Sequence, residues 1–305
     1  MIATSPEVFR EALTRLPLSA EPPPTMRSAL LVSPRQFRLI PGSSPDNRYV
    51  QWDASVDTER ALAQHRALAE TLGRLGLVVH LIPGHPELPD GVFPNNVFAT
   101  IPGRLVVGSM RHPIRQGESD REEIRALFRD ELGYELRDLS RSGVVAEMTG
   151  PLVIDRARGI GYCGMTERVD EAGCEAMHHA LALRLTFRFD LHPGEYHTNV
   201  VMAILAGRVA VLHAPSFMDP RVPEEIARVY HGRTLLLEEE EKLAFAGNCI
   251  SVTARDVLMS ATARGALRPS SVALLEREGF RIHAVEVGEL EKAGGSVRCM
   301  VAEIF

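Results

Sequence analysis

Short apolar runs along this chain come in pairs, and each pair is followed by one amphipathic run. Residues 97–101 and 105–108 bracket Pro102-Gly103 and read as a hairpin, with helical spacing over 118–132. Residues 152–154 and 161–164 flank a turn at 155–159, and a helix is expected at 168–184. Runs at 200–205 and 209–212 flank 206–208, before a helix at 222–231. Runs at 250–252 and 257–260 flank 254–256, before a helix at 269–279. Ahead of these lie a strand at 29–32, a helix at 57–75 (Leu62, Ala67, Leu68, Leu72 and Leu75 on one face) that stops at Gly76, and a strand at 77–82. Behind them, Gly294-Gly295 leads into an apolar, strand-like run that carries Cys299. Hairpin, helix and strand thus recur about every fifty residues, a period at which internal repeats decide a fold. A doubly wound sheet needs strands alternating singly with helices. Hairpins at each step favour a radial α/β arrangement. Residues 1–26, with a short helix at 6–16 and the Pro-rich stretch 17–24, form an N-terminal arm; 27–305 form one domain.

Composition narrows the class. The 305 residues carry a formal charge of −6, 45% apolar and 24% charged side chains, which is ordinary for a globular chain. No basic stripe points to nucleic acid, no apolar run is long enough to span a membrane, and the N-terminus lacks signal-peptide character. Cys163, Cys174, Cys249 and Cys299 show neither a disulfide framework nor a paired zinc spacing, so reduced thiols and a cytoplasmic location are expected. Lysine occurs only at Lys242 and Lys292, and asparagine only at Asn47, Asn95, Asn96, Asn199 and Asn248. This bias suggests a GC-rich genome, against which the surviving asparagines are candidate functional groups rather than turn formers alone.

The candidate chemistry is covalent. Cys299, the polar cluster 192–199 with His197, and Glu147 within Ala146-Glu147-Met148-Thr149-Gly150 supply a thiol, an imidazole and a carboxylate. A cysteine in an apolar strand is, taken alone, a packing residue. His192, Glu195 and His197 lie close in sequence, but Pro193-Gly194 prevents a shared helix face and an odd spacing splits the histidines across a strand, so no metal is expected. Arg115 is a candidate for gripping a carboxylate in bidentate fashion; Arg111 reads as a surface residue and Arg298 as structural. The run Glu238 to Glu241 reads as a solvated face.

Five motifs carry a resemblance: Val92-Phe93-Pro94-Asn95-Asn96, Glu147-Met148-Thr149-Gly150, Tyr196-His197-Thr198-Asn199-Val200, Phe245-Ala246-Gly247-Asn248, and Gly294-Gly295-Ser296-Val297-Arg298-Cys299-Met300. In this order they resemble the pentein superfamily, and within it the arginine-deiminase-related branch labelled citrulline-utilisation hydrolases. The resemblance covers roughly residues 27–305. It implies a five-bladed α/β propeller of ββαβ units, with Cys299 as nucleophile, His197 as proton shuttle and Glu147 completing the site. It implies no cofactor.

One departure bears on substrate. Guanidinium-specific members carry aspartates where this chain has Asn95 or Asn96, and Asn199. An amide offers donors and an acceptor but no charge, which suits a neutral ureido group better than a guanidinium. The expected reaction is hydrolysis of a citrulline-like substrate to ornithine, ammonia and carbon dioxide through an S-carbamoyl Cys299. The alternatives are an arginine dihydrolase or deiminase, an amidinotransferase, and, in a different class, a pentein-like binding protein without catalysis. Asn95, Asn96, Asn199, Asn47, Arg115 and Asn248 are the candidate substrate contacts. The expected partner is a small ureido or guanidino molecule. A homo-oligomer is compatible with the chain, the arm covering a neighbouring subunit or its own surface.

Overall fold

The structure is a computed structural model that describes residues 1–16 and 25–305; the Pro-rich stretch 17–24 lies outside the described residues. The strands in chain order are β1 (Ile2–Ala3), β2 (Ser28–Val32), β3 (Val78–Ile82), β4 (Phe98–Ile101), β5 (Arg104–Val107), β6 (Glu135–Asp138), β7 (Leu152–Asp155) and β8 (Ile160–Met165). There follow β9 (Leu185–Asp190), β10 (Met202–Leu205), β11 (Val209–Leu212), β12 (Thr234–Leu236), β13 (Ile250–Ser251), β14 (Asp256–Ser260), β15 (Arg281–Val285) and β16 (Ala302–Ile304).

These strands form five small sheets, β4-β5-β6, β7-β8-β9, β10-β11-β12, β13-β14-β15 and β16-β2-β3, with β1 added to the outer edge of β9. Each sheet repeats one plan. An inner strand pairs antiparallel with a middle strand, and the middle strand pairs parallel with an outer one. A parallel pair needs a crossover, and a helix supplies it each time, as Arg221–Val229 does between β11 and β12. That helix buries Val222, Ile226 and Val229 on one face, each contributing roughly 1.5–3 kcal/mol when fully buried. The fifth sheet joins the two ends of the chain, with Ala302 opposite Leu30 and Leu30 opposite His80. This is the five-bladed ββαβ propeller of the pentein fold.

The N-terminal segment lies on the propeller's own surface. β1 pairs with β9 through Ile2 and Thr186. Ser5 caps the helix Pro6–Arg15 by accepting from Val8 N. Phe9 then stacks on Phe187 with ring centroids 4.2 Å apart.

The elements differ from the sequence expectation where the chain turns. Residues 198–201 form a helical turn and the strand starts at Met202. Cys299 sits in the helical turn Val297–Met300, not in a strand, because β16 begins only at Ala302. Apolar runs of this length fit either state, and the turns satisfy their polar groups locally. Residues 117–131 split into a tight turn, the helix Glu122–Ala126 and one wider turn at Leu127–Glu131. Glu241 is buried, contrary to a solvated acidic face, since Arg268 and Ser271 donate to it.

Candidate active site

Each inner strand is entered from a tight polar turn. Asn95 and Asn96 precede β4, Glu147 and Thr149 precede β7, His197 and Asn199 precede β10, Asn248 precedes β13, and Cys299 precedes β16. Since the inner strands pack side by side around the centre, residues about fifty apart in sequence meet at one end of it. Two glycines are required there. A Cβ on Gly150 would come within 2.6 Å of His197 Nε2. Gly294 has φ +76° and leaves no room for a Cβ against the Asn47 amide. Met148 takes φ +31°, so backbone strain sits beside Glu147.

The His197 side of the site is a chain of charges. His197 Nε2 lies 3.0 Å from Glu147 Oε2, and both side chains are fully buried. An ionised carboxylate only accepts, so Nε2 carries the proton and Nδ1 is the bare nitrogen. Nδ1 has no partner among the described residues and is free to take a proton. Glu147 also accepts from Arg111 N at 3.1 Å and from Arg168 Nη1 at 3.0 Å. Arg168, itself fully buried, donates Nε and Nη2 to Asp46 at 2.7 Å each, and His112 Nε2 lies 2.9 Å from Asp46. Burial would push the Glu147 carboxyl up, but Arg168, His197 and Arg115 hold it well below the usual range. Burial lowers the His197 pKa to about 4, against the raising effect of Glu147. The imidazole is therefore neutral near pH 7.

The Cys299 side holds amides instead. Asn248 Nδ2 donates to Sγ at 3.3 Å, and the thiol points to Asn199 Oδ1 at 3.8 Å. Asn248 Oδ1 accepts from Ser296 N and, at 3.4 Å, from Cys299 N, which fixes the helical turn. Asn199 Nδ2 donates to Thr149 O at 2.9 Å, linking this side to the Glu147 turn. Burial raises the Cys299 pKa, partly offset by Asn248 and Arg298. The resting pair is a neutral thiol and a neutral imidazole.

A narrow cavity opens beside the sulfur, with Cys299, Asn96, Asn47, Tyr196, Arg115 and Asp90 in its wall. Asn95 is not in that wall. Its amide is spent on Asn96, Thr149 and Arg298, so it supports Asn96 from behind. Asn47 donates to Ala293 O and Gly294 O and tethers the irregular segment 33–57 over the cavity. Arg115 donates through Nε and Nη2 to Glu118 at 2.9 and 2.7 Å, so the fork proposed for a ligand is already filled. Arg298 bonds Glu303 and Asn95, as a structural residue would.

Sequence reasoning missed three acids and bases. Asp90 is buried, and its Oδ2 has no partner among the described residues. Its Pro-Asp-Gly setting reads as turn chemistry, and only its place five residues before Asn95-Asn96 hinted otherwise. Asp46 and Arg168 gave no sequence signal, since one lies in an irregular segment and the other follows a strand.

Comparison with known proteins now decides the family. The family model described as "N,N dimethylarginine dimethylhydrolase, eukaryotic" matches residues 33–305. The chain belongs to this family. It is thereby a pentein-superfamily enzyme, a hydrolase of C–N bonds in guanidino-type groups. It is 27% identical to the N(G),N(G)-dimethylarginine dimethylaminohydrolase of Mycobacterium tuberculosis over 96% of this chain and 91% of that one. It is 24% identical to the Bacillus subtilis protein YkgA, covering 90% of each. Among solved structures, the substrate-bound N-terminal domain of ArgZ, a cyanobacterial arginine dihydrolase, superposes with a TM-score of 0.78 at 20% identity, over 91% of this chain and 97% of that domain. A Pseudomonas aeruginosa dimethylarginine dimethylaminohydrolase variant complexed with citrulline gives 0.71 at 19% identity, over 92% and 100%. At these identities the superpositions speak for the fold.

Proposed function

We propose that this family member hydrolyses the ureido group of a citrulline-type amino acid, with Cys299 as nucleophile. The observation that carries this reading is the amide surround of the sulfur. Asn248 lies 3.3 Å and Asn199 3.8 Å from it, and Glu147 is already committed to Arg168 and His197. A urea carbonyl needs donors and its N–H groups need acceptors, and the amides of Asn47 and Asn96 in the cavity wall carry both kinds of group.

Cys299 loses its proton to a base, for which the bare Nδ1 of His197 is suited. The sulfur attacks the ureido carbon, and the C–N bond to the substrate's side-chain amine breaks as that nitrogen takes up the proton. An S-carbamoyl Cys299 remains. Water, deprotonated by His197, attacks it, and carbamate leaves and falls to ammonia and carbon dioxide. Glu147 holds the imidazole in the tautomer with Nδ1 bare. Asp90 is placed for a cation, which in an amino-acid substrate is the α-ammonium group.

That unpaired carboxylate also favours a second reading, in which Asp90 meets a guanidinium and arginine is the substrate. Product analysis separates them. Purified protein with citrulline should release ornithine and ammonia, and Cys299→Ala should release neither. Turnover of arginine or dimethylarginine with citrulline untouched would overturn the ureido reading.

A further inference from the structure

The inner strands have a second end, and it is also built of buried polar groups. A cavity there is walled by Arg156, Ser251, Arg298, Glu303, Asn199 and Cys249, alongside apolar residues of β7 and β10. Arg156 follows β7, Ser251 ends β13 and Glu303 lies within β16, while Asn199 and Arg298, from the turns that carry His197 and Cys299, close the side toward the sulfur.

Its charges do not balance. Two guanidinium groups face one carboxylate. Glu303 is taken by Arg298 Nη2 at 2.9 Å and stands 3.9 Å from Arg156 Nη2, beyond a hydrogen bond. Arg156 Nη1 donates to Thr100 O at 2.8 Å, and the guanidinium stacks on the Phe305 ring at 4.2 Å. The remaining edge, Nε with Nη2, is the side-on fork that matches two oxygens of a planar anion. Nε has no partner among the described residues, and neither has Ser251 Oγ, though both atoms are buried and both residues wall the same cavity. Buried polar groups are almost always paired, so two orphans in one cavity beside an excess cation point to a missing ligand. Burial, with Arg298 nearby, lowers the Arg156 pKa to about 10, the mark of a cation short of a counter-charge.

We propose that this cavity binds one small planar oxyanion of the carboxylate or bicarbonate class, gripped by the open edge of Arg156 and by the Ser251 hydroxyl. The inference stands apart from the choice of substrate. Occupancy reaches the nucleophile through two residues. Arg298 directly precedes Cys299, and Asn199 borders this cavity while its Oδ1 lies 3.8 Å from Sγ.

The test is thermal unfolding of the full chain in acetate and, separately, bicarbonate, against chloride at equal ionic strength. A saturable rise of about 2–3 °C at tenfold excess over Kd is expected, with chloride giving none, and Arg156→Met should lose the rise. Bicarbonate acting without acetate would assign the site to bicarbonate, and equal responses would assign it to carboxylates generally. Ser251→Asp covers the case in which Arg156→Met does not fold. It places a carboxylate on the chain itself, so it should unfold above the wild type in plain buffer and ignore acetate. An equal rise in Arg156→Met, no rise with either anion, or a Ser251→Asp chain less stable than the wild type would each overturn the proposal.

Discussion

Among the described residues, the side chains that hydrogen-bond the Cys299 sulfur are two amides, Asn248 and Asn199; on the His197 side there is an unbroken line of charge from Glu147 to Arg168 to Asp46. The two sides are joined by neutral contacts, among them Asn199 Nδ2 to Thr149 O and Asn199 N to Gly150 O. The difference divides the labour. The amide side leaves the sulfur as a thiol, because burial outweighs the help that Asn248, Arg298 and Arg115 give to thiolate. On the charged side burial keeps the imidazole neutral, and Glu147 fixes its orientation. In the proposed reaction, a substrate entering the cavity would offer its own polar groups to the sulfur before the thiol reacts.

Glu147→Gln should do the most damage on the charged side. The neutral amide keeps the size but removes the charge that fixes the His197 tautomer, and it leaves Arg168 with Asp46 as its one carboxylate. We expect kcat to fall about 100- to 1,000-fold, in the range of lost acid–base assistance, with KM changed far less. A wild-type kcat in steady-state kinetics would show that the charge line is only structural.

Each side was partly legible in the sequence. The repeat of hairpin, helix and strand was readable because inner and middle strands are apolar and their turns are marked by Pro102-Gly103 or Gly207. Cys299, His197 and Glu147 were readable as motifs. Arg168 and Asp46 were not, because an ion pair across 122 positions leaves no local pattern. The turn form of Cys299 was hidden for another reason. Four apolar-flanked residues do not distinguish strand from helix, and only the Asn248 side chain, distant in sequence, selects the turn.

Next in size is the dependence of stability on pH, where the two sides act at opposite limits. The folded-state pKa of His197 is about 4, below the 6.5 of a free imidazole. The unfolded chain therefore gains a proton first, and stability is lost as pH falls from 6.5 to 4, by about 3 kcal/mol for this one group. Glu147, depressed from 4.5, adds to the loss as pH falls below 4.5. Cys299 works the other way. Its raised pKa means that the unfolded thiol ionises first, so stability is lost as pH rises above 9. His65 and His178, both lowered to about 4 chiefly by burial, share the acid limb, so the readout is variant against wild type. In thermal unfolding across pH, His197→Gln should flatten part of the acid limb and Cys299→Ala part of the alkaline one. Interchanged effects would contradict the division.

The smallest expected effect tests the amide side alone. Asn248→Asp keeps the acceptor for Ser296 N and Cys299 N but sets a negative charge where a donor now faces Sγ at 3.3 Å. A like charge there disfavours thiolate further. Iodoacetamide labelling of Cys299 near pH 8, followed by mass spectrometry, should slow by about tenfold, one pKa unit being one decade of thiolate. The His197 side should not notice, and its acid limb should stay as in the wild type. If labelling is unchanged, Asn248 holds the turn through its oxygen only, and the sulfur is set by burial rather than by its amide neighbour. If labelling slows while arginine turnover rises, the charge has given a guanidinium the counter-ion that the amide surround denies it. That result would place substrate choice on the Cys299 side and leave proton transfer to the other.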